Sequence, residues 1–483
     1  MTEVLAVASE AYPLIKTGGL ADVTGALPAA LKPHGINVRT LIPAYPAVLA
    51  TLGATSEVAS VAYLHGGGAR LLACRVRDLD LLVLDAPHLF DRSGGPYTDA
   101  TGADWPDNWR RFAALGSIAA ELARGLVPGY APAIVHAHDW QGAMAPTYLR
   151  YLGAGGAKSV LTIHNLAFQG QYEAQYFPAL GLPAAANSMA GIEYYGGIGF
   201  LKGGLVSADA ITTVSPTYAR EIRTPEFGMG LDGLLNERIG RLHGIVNGID
   251  TGEWNPRTDP GLAATYSVAQ IQRRAANKGA LETRFSLVPG EGPLFAAVTR
   301  LTWQKGIDII AEAADRLVEL GGRLIVLGSG EATLERAMRA AAARHPGRIG
   351  VKIGYDEALS HLVQGGADAI LVPSRFEPCG LTQLYGLRYG CVPVVSRVGG
   401  LNDTVIDAND AAIEAGVATG LQFAPVNALA LSDALARAVA LYADPPLWRK
   451  MQRRGMKSDV SWTRSAAKYA ALYAALLGNG EAK

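Results

Sequence analysis

Lys16-Thr17-Gly18-Gly19-Leu20-Ala21-Asp22-Val23 follows a short apolar strand and sets a lysine beside two glycines at what should be a helix N-terminus. Glycines let the backbone approach a phosphate closely, the first N–H groups of a helix are free to donate, and an ammonium adds a full positive charge. That is the chemistry of a diphosphate site. The same residues would also make an ordinary strand-to-helix turn with Lys16 in solvent. Other cations bear on the choice. Thr299-Arg300-Leu301-Thr302-Trp303-Gln304-Lys305-Gly306 comes just after the strand Phe295-Ala296-Ala297-Val298. Arg300 as a fork and Lys305 as a point charge can converge on one dianionic group. Their bland reading is two solvated cations on a loop, against which Gly306 permits a close turn and Trp303 gives the loop something to pack.

A carboxylate joins these cations in Pro373-Ser374-Arg375-Phe376-Glu377-Pro378-Cys379-Gly380-Leu381-Thr382-Gln383. Glu377 precedes a proline and so is disfavoured in a helix; it is expected to project from the loop while the amides of Gly380, Leu381 and Thr382 begin the next helix. Such a site suits a donor with a polyhydroxylated group at one end and a diphosphate at the other. Cys379 reads as a small packed thiol. In Leu324-Ile325-Val326-Leu327-Gly328-Ser329-Gly330-Glu331, a strand leads into Gly-x-Gly and a helix. The third glycine of a dinucleotide fingerprint is replaced by Thr333, which counts against NAD and leaves a generic nucleotide loop at Gly328 and Gly330.

Two further strand ends are polar. His136-Ala137-His138-Asp139-Trp140 places two histidines on one face of a strand. With no third ligand nearby they read as a packed or hydrogen-bonded pair rather than a metal site. Asp139 is either a helix cap or a contact to substrate hydroxyls. Thr162-Ile163-His164-Asn165 repeats the pattern, so His164 and Asp139 suggest one shared pocket. The Asp-x-Asp at Asp78 and Asp80 lies in a strand-like segment and makes a poor metal site.

These segments need a scaffold that puts strand ends side by side. Short β-rich runs alternate with longer Ala/Leu-rich stretches of helical period along the whole chain, which predicts parallel sheets with helices on both faces. In such sheets ligands bind beyond the carboxyl ends of the strands. At 483 residues the chain exceeds one ordinary core, and two domains are expected. The pattern dissolves into Gly, Pro and Asp over residues 248–260, the expected crossover. The Gly-Gly-Leu of Arg397-Val398-Gly399-Gly400-Leu401-Asn402-Asp403 echoes the opening loop, by internal repetition or by chance. Residues 462–477 form an Ala/Tyr/Leu helix that ends in a polar tail.

A formal net charge of zero gives no global pull toward nucleic acid or an acidic membrane. No apolar run approaches the roughly 20 residues that span a bilayer. Three cysteines without paired spacing suit a reducing compartment, and the N-terminus does not read as a targeting leader, so a cytoplasmic location is expected.

Taken together and in order, Lys16 to Leu20, His136 to Trp140, His164-Asn165, Arg300 to Lys305 and Glu377 to Leu381 resemble bacterial glycogen synthase and its plastid starch-synthase relatives, essentially from end to end. The resemblance implies two Rossmann-like doubly wound α/β domains facing across a deep cleft, the GT-B architecture. On this chain they would be an acceptor-side domain over 1–245, a nucleotide-sugar domain over 246–457, and a C-terminal helix over 458–483 returning to the first. It implies glucose transfer from ADP-glucose to the non-reducing end of an α-1,4-glucan, glycogen, with retention at the anomeric carbon and without a metal or other cofactor.

In this reading Lys16, Gly18, Gly19, Arg300 and Lys305 hold the diphosphate, Asp139 and His164 face sugar and acceptor, Glu377 orients the glucose, and Tyr355 stacks on the adenine. Gly328, Gly330, Gly380, Leu381 and Thr382 complete the donor site. Where some retaining transferases carry a second Glu eight residues after the first, this chain has Tyr385, which weakens any mechanism needing two carboxylates there. Another GT-B transferase with a UDP-glucose donor or a different acceptor, or a non-catalytic relative, is the alternative. The sequence leaves the choice between ADP and UDP open, and likewise homo-oligomerisation.

Overall fold

The computed structural model describes residues 1–478, which separate into two compact units, Met1–Asn247 with the segment from Trp462, and Gly248–Ser461. Each is built on its own sheet. The strands in chain order are β1 (Thr2–Val7), β2 (Ile36–Pro43), β3 (Ser56–Leu64), β4 (Gly67–Val76), β5 (Leu79–Asp85), β6 (Ile134–His138), β7 (Lys158–Ile163), β8 (Gln171–Glu173), β9 (Glu193–Tyr194), β10 (Gly197–Gly199), β11 (Ala210–Thr213) and β12 (Leu242–Gly244) in the first unit. The second unit adds β13 (Leu294–Val298), β14 (Arg323–Gly328), β15 (Ile349–Ile353), β16 (Ala369–Val372), β17 (Val392–Ser396) and β18 (Leu421–Phe423).

The first sheet has the order β12-β11-β7-β6-β1-β2-β5-β4-β3. It is parallel from β12 to β5, but β4 pairs antiparallel with both β5 and β3. The expected parallel pairing thus covers β12 to β5, and the β5-β4-β3 edge adds antiparallel pairs to it. Consecutive strands joined by tight turns can pair only antiparallel, and the connections from Leu64 to Gly67 and from Val76 to Leu79 are too short for a helical crossover. Along β1, Val4 and Ala6 point into one core while Leu5 and Val7 point into the other, as a sheet covered on both faces requires. The helices Gly19–Leu31 and Thr463–Leu476 cover the Val4 side with Val23, Leu27, Ala466, Tyr469 and Tyr473. The polar tail beyond that last helix lies outside the described residues. A small antiparallel sheet, β8-β10-β9, sits beside the main one.

The second sheet, β15-β14-β13-β16-β17-β18, is parallel throughout. Its strands are near-continuous apolar runs because both faces are buried. Phe295 and Ala297 enter one core and Leu294 and Ala296 the other. No helix among the described residues is long and apolar enough to cross a membrane.

Candidate active site

In the first unit the candidate residues lie beyond the carboxyl ends of β1, β6 and β7. After β1 the chain turns through Glu10, which is 2% exposed. Its carboxylate accepts hydrogen bonds from the Thr17 amide at 2.5 Å, the Thr17 hydroxyl at 2.6 Å and the Tyr97 hydroxyl. This anchors the loop that presents Lys16, Gly18 and Gly19. Gly18 is the extended N-cap of the helix Gly19–Leu31, which has no side-chain cap. A Cβ at Gly18 would meet nothing within 4 Å, so the fold of this unit gives no steric reason for glycine there. Lys16 is neither simply solvated nor a free cation. Its ammonium pairs with Asp22 in the first helical turn at 2.8 Å. An incoming anion would share that ammonium, which has donors to spare.

Asp139 does not cap the following helix through its side chain. It is the first residue of that helix, with φ of +52°, and its Oδ1 accepts the amides of His164 at 2.7 Å and Asn165 at 3.3 Å. A left-handed non-glycine residue costs on the order of 1 kcal/mol or more, and strain of this kind concentrates at functional sites. Burial raises the Asp139 carboxyl to about 7, against the two backbone hydrogen bonds and with help from the charge of Glu10.

The three histidines are linked. His138 Nδ1 lies 3.0 Å from His164 Nε2, and the rings of His136 and His138 pack at 4.3 Å. Both nitrogens of His136 are engaged, with Tyr473 at 2.7 Å and Thr162 at 2.6 Å. Burial lowers all three, His138 to about 3, so they are neutral and one member of the His138–His164 contact donates to the other. No group of three or more His, Cys, Asp or Glu that could hold a metal occurs among the described residues. Asp80 is tied to Arg39 at 3.2 Å.

The second unit assembles its cluster from the ends of β13, β14, β15 and β16. Gly306, at φ +68°, caps the helix Ile307–Glu319, and a Cβ there would lie 2.1 Å from the Pro373 carbonyl. The loop after β13 is thereby seated on the loop after β16. Lys305 reaches Glu377 at 2.6 Å, and Ser374 donates to the same carboxylate oxygen at 2.9 Å. Glu377 therefore does not project into solvent. It is 6% exposed, turned inward by the ammonium and the hydroxyl. Arg300, in contrast, is exposed and has no hydrogen bond or ion pair from its guanidinium to another described residue. Trp303 does not anchor its loop by burial either. It is 56% exposed, with the Arg375 guanidinium 4.3 Å over its ring, and Arg375 in turn forks onto Asp308 at 2.8 and 2.6 Å.

Gly328 and Gly330 have a structural reason to be glycine. Cβ atoms there would fall 1.8 Å from the Thr299 carbonyl and 2.2 Å from that of Leu301, because the two loops pair backbone to backbone. Tyr355 is 77% exposed, its hydroxyl bonded to Glu357, and the neighbouring Gly354 amide donates to Gly328 O at 3.0 Å. The helix after Glu377 is Thr382–Tyr389, with Leu381 as N-cap and Gly380 at φ +74°. Its first turn starts two residues later than expected, because the Gln383 amide donates to the carbonyls of Cys379 and Gly380 and holds them out of the helix. Gly400 donates to Glu377 O at 3.0 Å, and the echoed Gly-Gly-Leu also opens a helix, Gly399–Thr404, but from its first glycine, whereas in the opening loop Gly18 is the N-cap and the helix starts at the second.

Glu10, Tyr97, Asp308, Ser374 and Arg375 carry no role in the sequence reading. Their partners lie several to many residues away, and no local spacing marks them.

Residues 3–237 match the model of the starch synthase catalytic domain, and residues 281–457 match that of glycosyl transferases group 1. The chain is 61% identical over 482 residues to a glycogen synthase of Novosphingobium aromaticivorans, covering 99% of each, and 61% identical over 475 residues to one of Mesorhizobium japonicum, covering 98% of this chain and 99% of the other. Its fold is similar to that of the catalytic domain of starch synthase IV from Arabidopsis thaliana bound to ADP and acarbose, with a TM-score of 0.89, 32% identity and 99% of both chains covered.

Proposed function

The chain belongs to the starch and glycogen synthase family of retaining glycosyltransferases, and from that premise we propose that it lengthens glycogen by transferring glucose from ADP-glucose to a non-reducing end. The observation that carries the reading is the Lys305–Glu377 pair with the unpaired Arg300 on the same loop. Breaking the bond from the anomeric carbon to phosphate adds negative charge to the departing diphosphate. Fixed cations aimed at that charge lower the barrier, and each is worth roughly a hundredfold or more in turnover. Arg300 has its whole fork available, and Lys305 keeps donors beyond the one given to Glu377. These two cations do the work a divalent metal would otherwise do.

Glu377 is held by Lys305 and Ser374, which suits a carboxylate that orients glucose hydroxyls better than one that attacks carbon. Retention then follows if the departing phosphate takes the proton of the acceptor hydroxyl on the face it is leaving. The new carbon–oxygen bond forms there as the old one breaks. Asp139 and the neutral His164 would receive the acceptor sugar. Free Cys74, Cys379 and Cys391 fit a cytoplasmic setting for this chemistry.

The test is glucan elongation with ADP-glucose and with UDP-glucose, each with and without a chelator. ADP-glucose should be the faster donor, and the chelator should leave the rate unchanged. Failure to lengthen glycogen with either donor would remove the reading.

A further inference from the structure

His138 ends β6 and is 1% exposed, the second of two buried histidines on one face of that strand. It takes no part in the chemistry proposed above. Its ring packs against His136, with centroids 4.3 Å apart, and against His164 at 5.3 Å. Both nitrogens of His136 are engaged, with Tyr473 and Thr162, so His136 offers His138 a surface and no hydrogen bond. The one hydrogen bond of the His138 imidazole to a described residue joins its Nδ1 to His164 Nε2 at 3.0 Å.

Both rings are neutral, so that contact holds a single proton, and its place fixes the tautomer of each ring. With the proton on His138 Nδ1, His138 Nε2 is bare and His164 carries its own proton on Nδ1. With the proton on His164 Nε2, His138 is protonated on Nε2 and His164 Nδ1 is a lone pair. The two ends differ in their surroundings. His138 lines a cavity of about 10 Å³ walled by Val4, Ala6, Leu27 and Pro28, and its Nε2 has no hydrogen-bond partner among the described residues. The hydroxyls on that cavity, of Thr24 and Tyr473, are bonded to the Glu10 carbonyl and to His136. An N–H turned into the cavity would be orphaned, and orphaned buried N–H groups are rarer than under-satisfied acceptors. His164 is partly exposed, and its Nδ1 also lacks a partner among the described residues, so water or a ligand can accept from it there.

We propose that His138 is the positioning residue for His164. It donates from Nδ1 to His164 Nε2, so that His164 presents an N–H, and not a lone pair, to the oxygens of a sugar. This deepens the function proposed above and rests on it. An imidazole whose Nε2 accepts from His138 and whose Nδ1 is protonated has no lone pair left to take a proton. His164 is then a donor that binds a hydroxyl oxygen and not the base for the acceptor hydroxyl, which leaves that proton to the departing phosphate.

Nitrogen NMR of the full chain carrying isotope-labelled histidine reads the tautomers directly, with His164→Gln used to assign the His164 signals. His164 should show a protonated Nδ1 and a bare Nε2 at neutral pH, and the reverse tautomer would overturn the proposal. Kinetics then compare His138→Phe, which keeps a ring and loses the donor, with His138→Asn, whose Nδ2 stands where Nδ1 stood. His138→Phe should lower kcat/KM for glucan about ten-fold, the worth of one hydrogen bond, and leave ADP affinity unchanged by titration calorimetry. His138→Asn should restore most of the rate. Wild-type kcat/KM in a folded His138→Phe would overturn the proposal, as would equal losses of rate and ADP binding, or a His138→Asn no better than His138→Phe. If His138→Phe does not fold, the tautomers of the wild-type chain decide alone. The NMR does not depend on turnover, so the expected tautomer in a chain that lengthens no glucan would reject the synthase reading and keep the His138 donor.

Discussion

Lys305 Nζ lies 2.6 Å from Glu377 Oε2, joining the cation assigned to the leaving group and the carboxylate assigned to the sugar into one ion pair. Their side chains are 17% and 8% exposed, so the pair is screened little by solvent. Two functions that look separate in sequence are thus coupled.

That coupling predicts non-additive kinetics. Lys305→Ala and Glu377→Ala should each cut turnover by roughly a hundredfold or more, and the double variant by little more than the worse single one. Steady-state rates of the three variants would measure this. Glu377→Ala should leave ADP binding largely intact by titration calorimetry. Losses that multiply in the double variant would show that the two residues act independently.

Asp139 predicts a pH signature in both stability and rate. Its folded-state carboxyl is raised from 3.8 to about 7 by burial, so between those values the unfolded chain has released a proton that the folded chain retains. Folding stability contributed at this site is greatest at low pH and falls as pH rises from about 4 to about 7. Asp139→Asn keeps an oxygen for the His164 amide and should remove that fall. Denaturation midpoints at pH 5 and pH 7.5, compared between wild type and variant, isolate the effect. If the carboxylate is the form that receives the acceptor hydroxyl, kcat/KM for glucan should rise through pH 7 in the wild type only.

Glycines provide a contrast between structural and ligand-directed roles. Gly306→Ala places a Cβ 2.1 Å from the Pro373 carbonyl at φ +68° and should destabilise the second unit by about 1 kcal/mol or more. Gly18→Ala meets open space with an extended backbone and should leave the melting temperature unchanged. If the Gly18 backbone lies against the diphosphate, the same variant should still lower kcat/KM for ADP-glucose. A Gly18→Ala enzyme with wild-type donor kinetics would remove this loop from the donor site.

Tyr473 predicts a cost at a distance in sequence. Its hydroxyl bonds to His136 Nδ1, a fully buried nitrogen 337 residues away. Tyr473→Phe leaves that nitrogen unpaired, which costs about 1–3 kcal/mol. Urea denaturation would show the loss, and a midpoint equal to wild type would mean that water replaces the hydroxyl.

The strands that carry the site were readable because their apolar runs and the glycine or polar residues ending them are local features. The residues beyond them were named from those endings. Less was readable wherever a side chain takes its role from a remote partner. Glu377 was expected outward from its Glu-Pro step, and it points inward because Lys305 and Ser374 hold it. Trp303 was expected to give its loop something to pack, and what packs on it is the guanidinium of Arg375, from a loop 72 residues on, while the ring stays largely exposed. The β4 hairpin departs from the parallel pattern because short turns overrule alternation.

Sequence alone determined the α/β class, the residue types at the strand ends and the family, since periodicity and ordered motifs survive in one dimension. Only the tertiary structure decided which of those residues are charged, buried or shared. The Asp139 proton, the neutral histidine series and the Lys305–Glu377 pair depend on desolvation and on contacts between segments up to hundreds of residues apart. Glu10, invisible as a motif, became the anchor of the Lys16 loop for the same reason. A carboxylate's role follows from what folds against it.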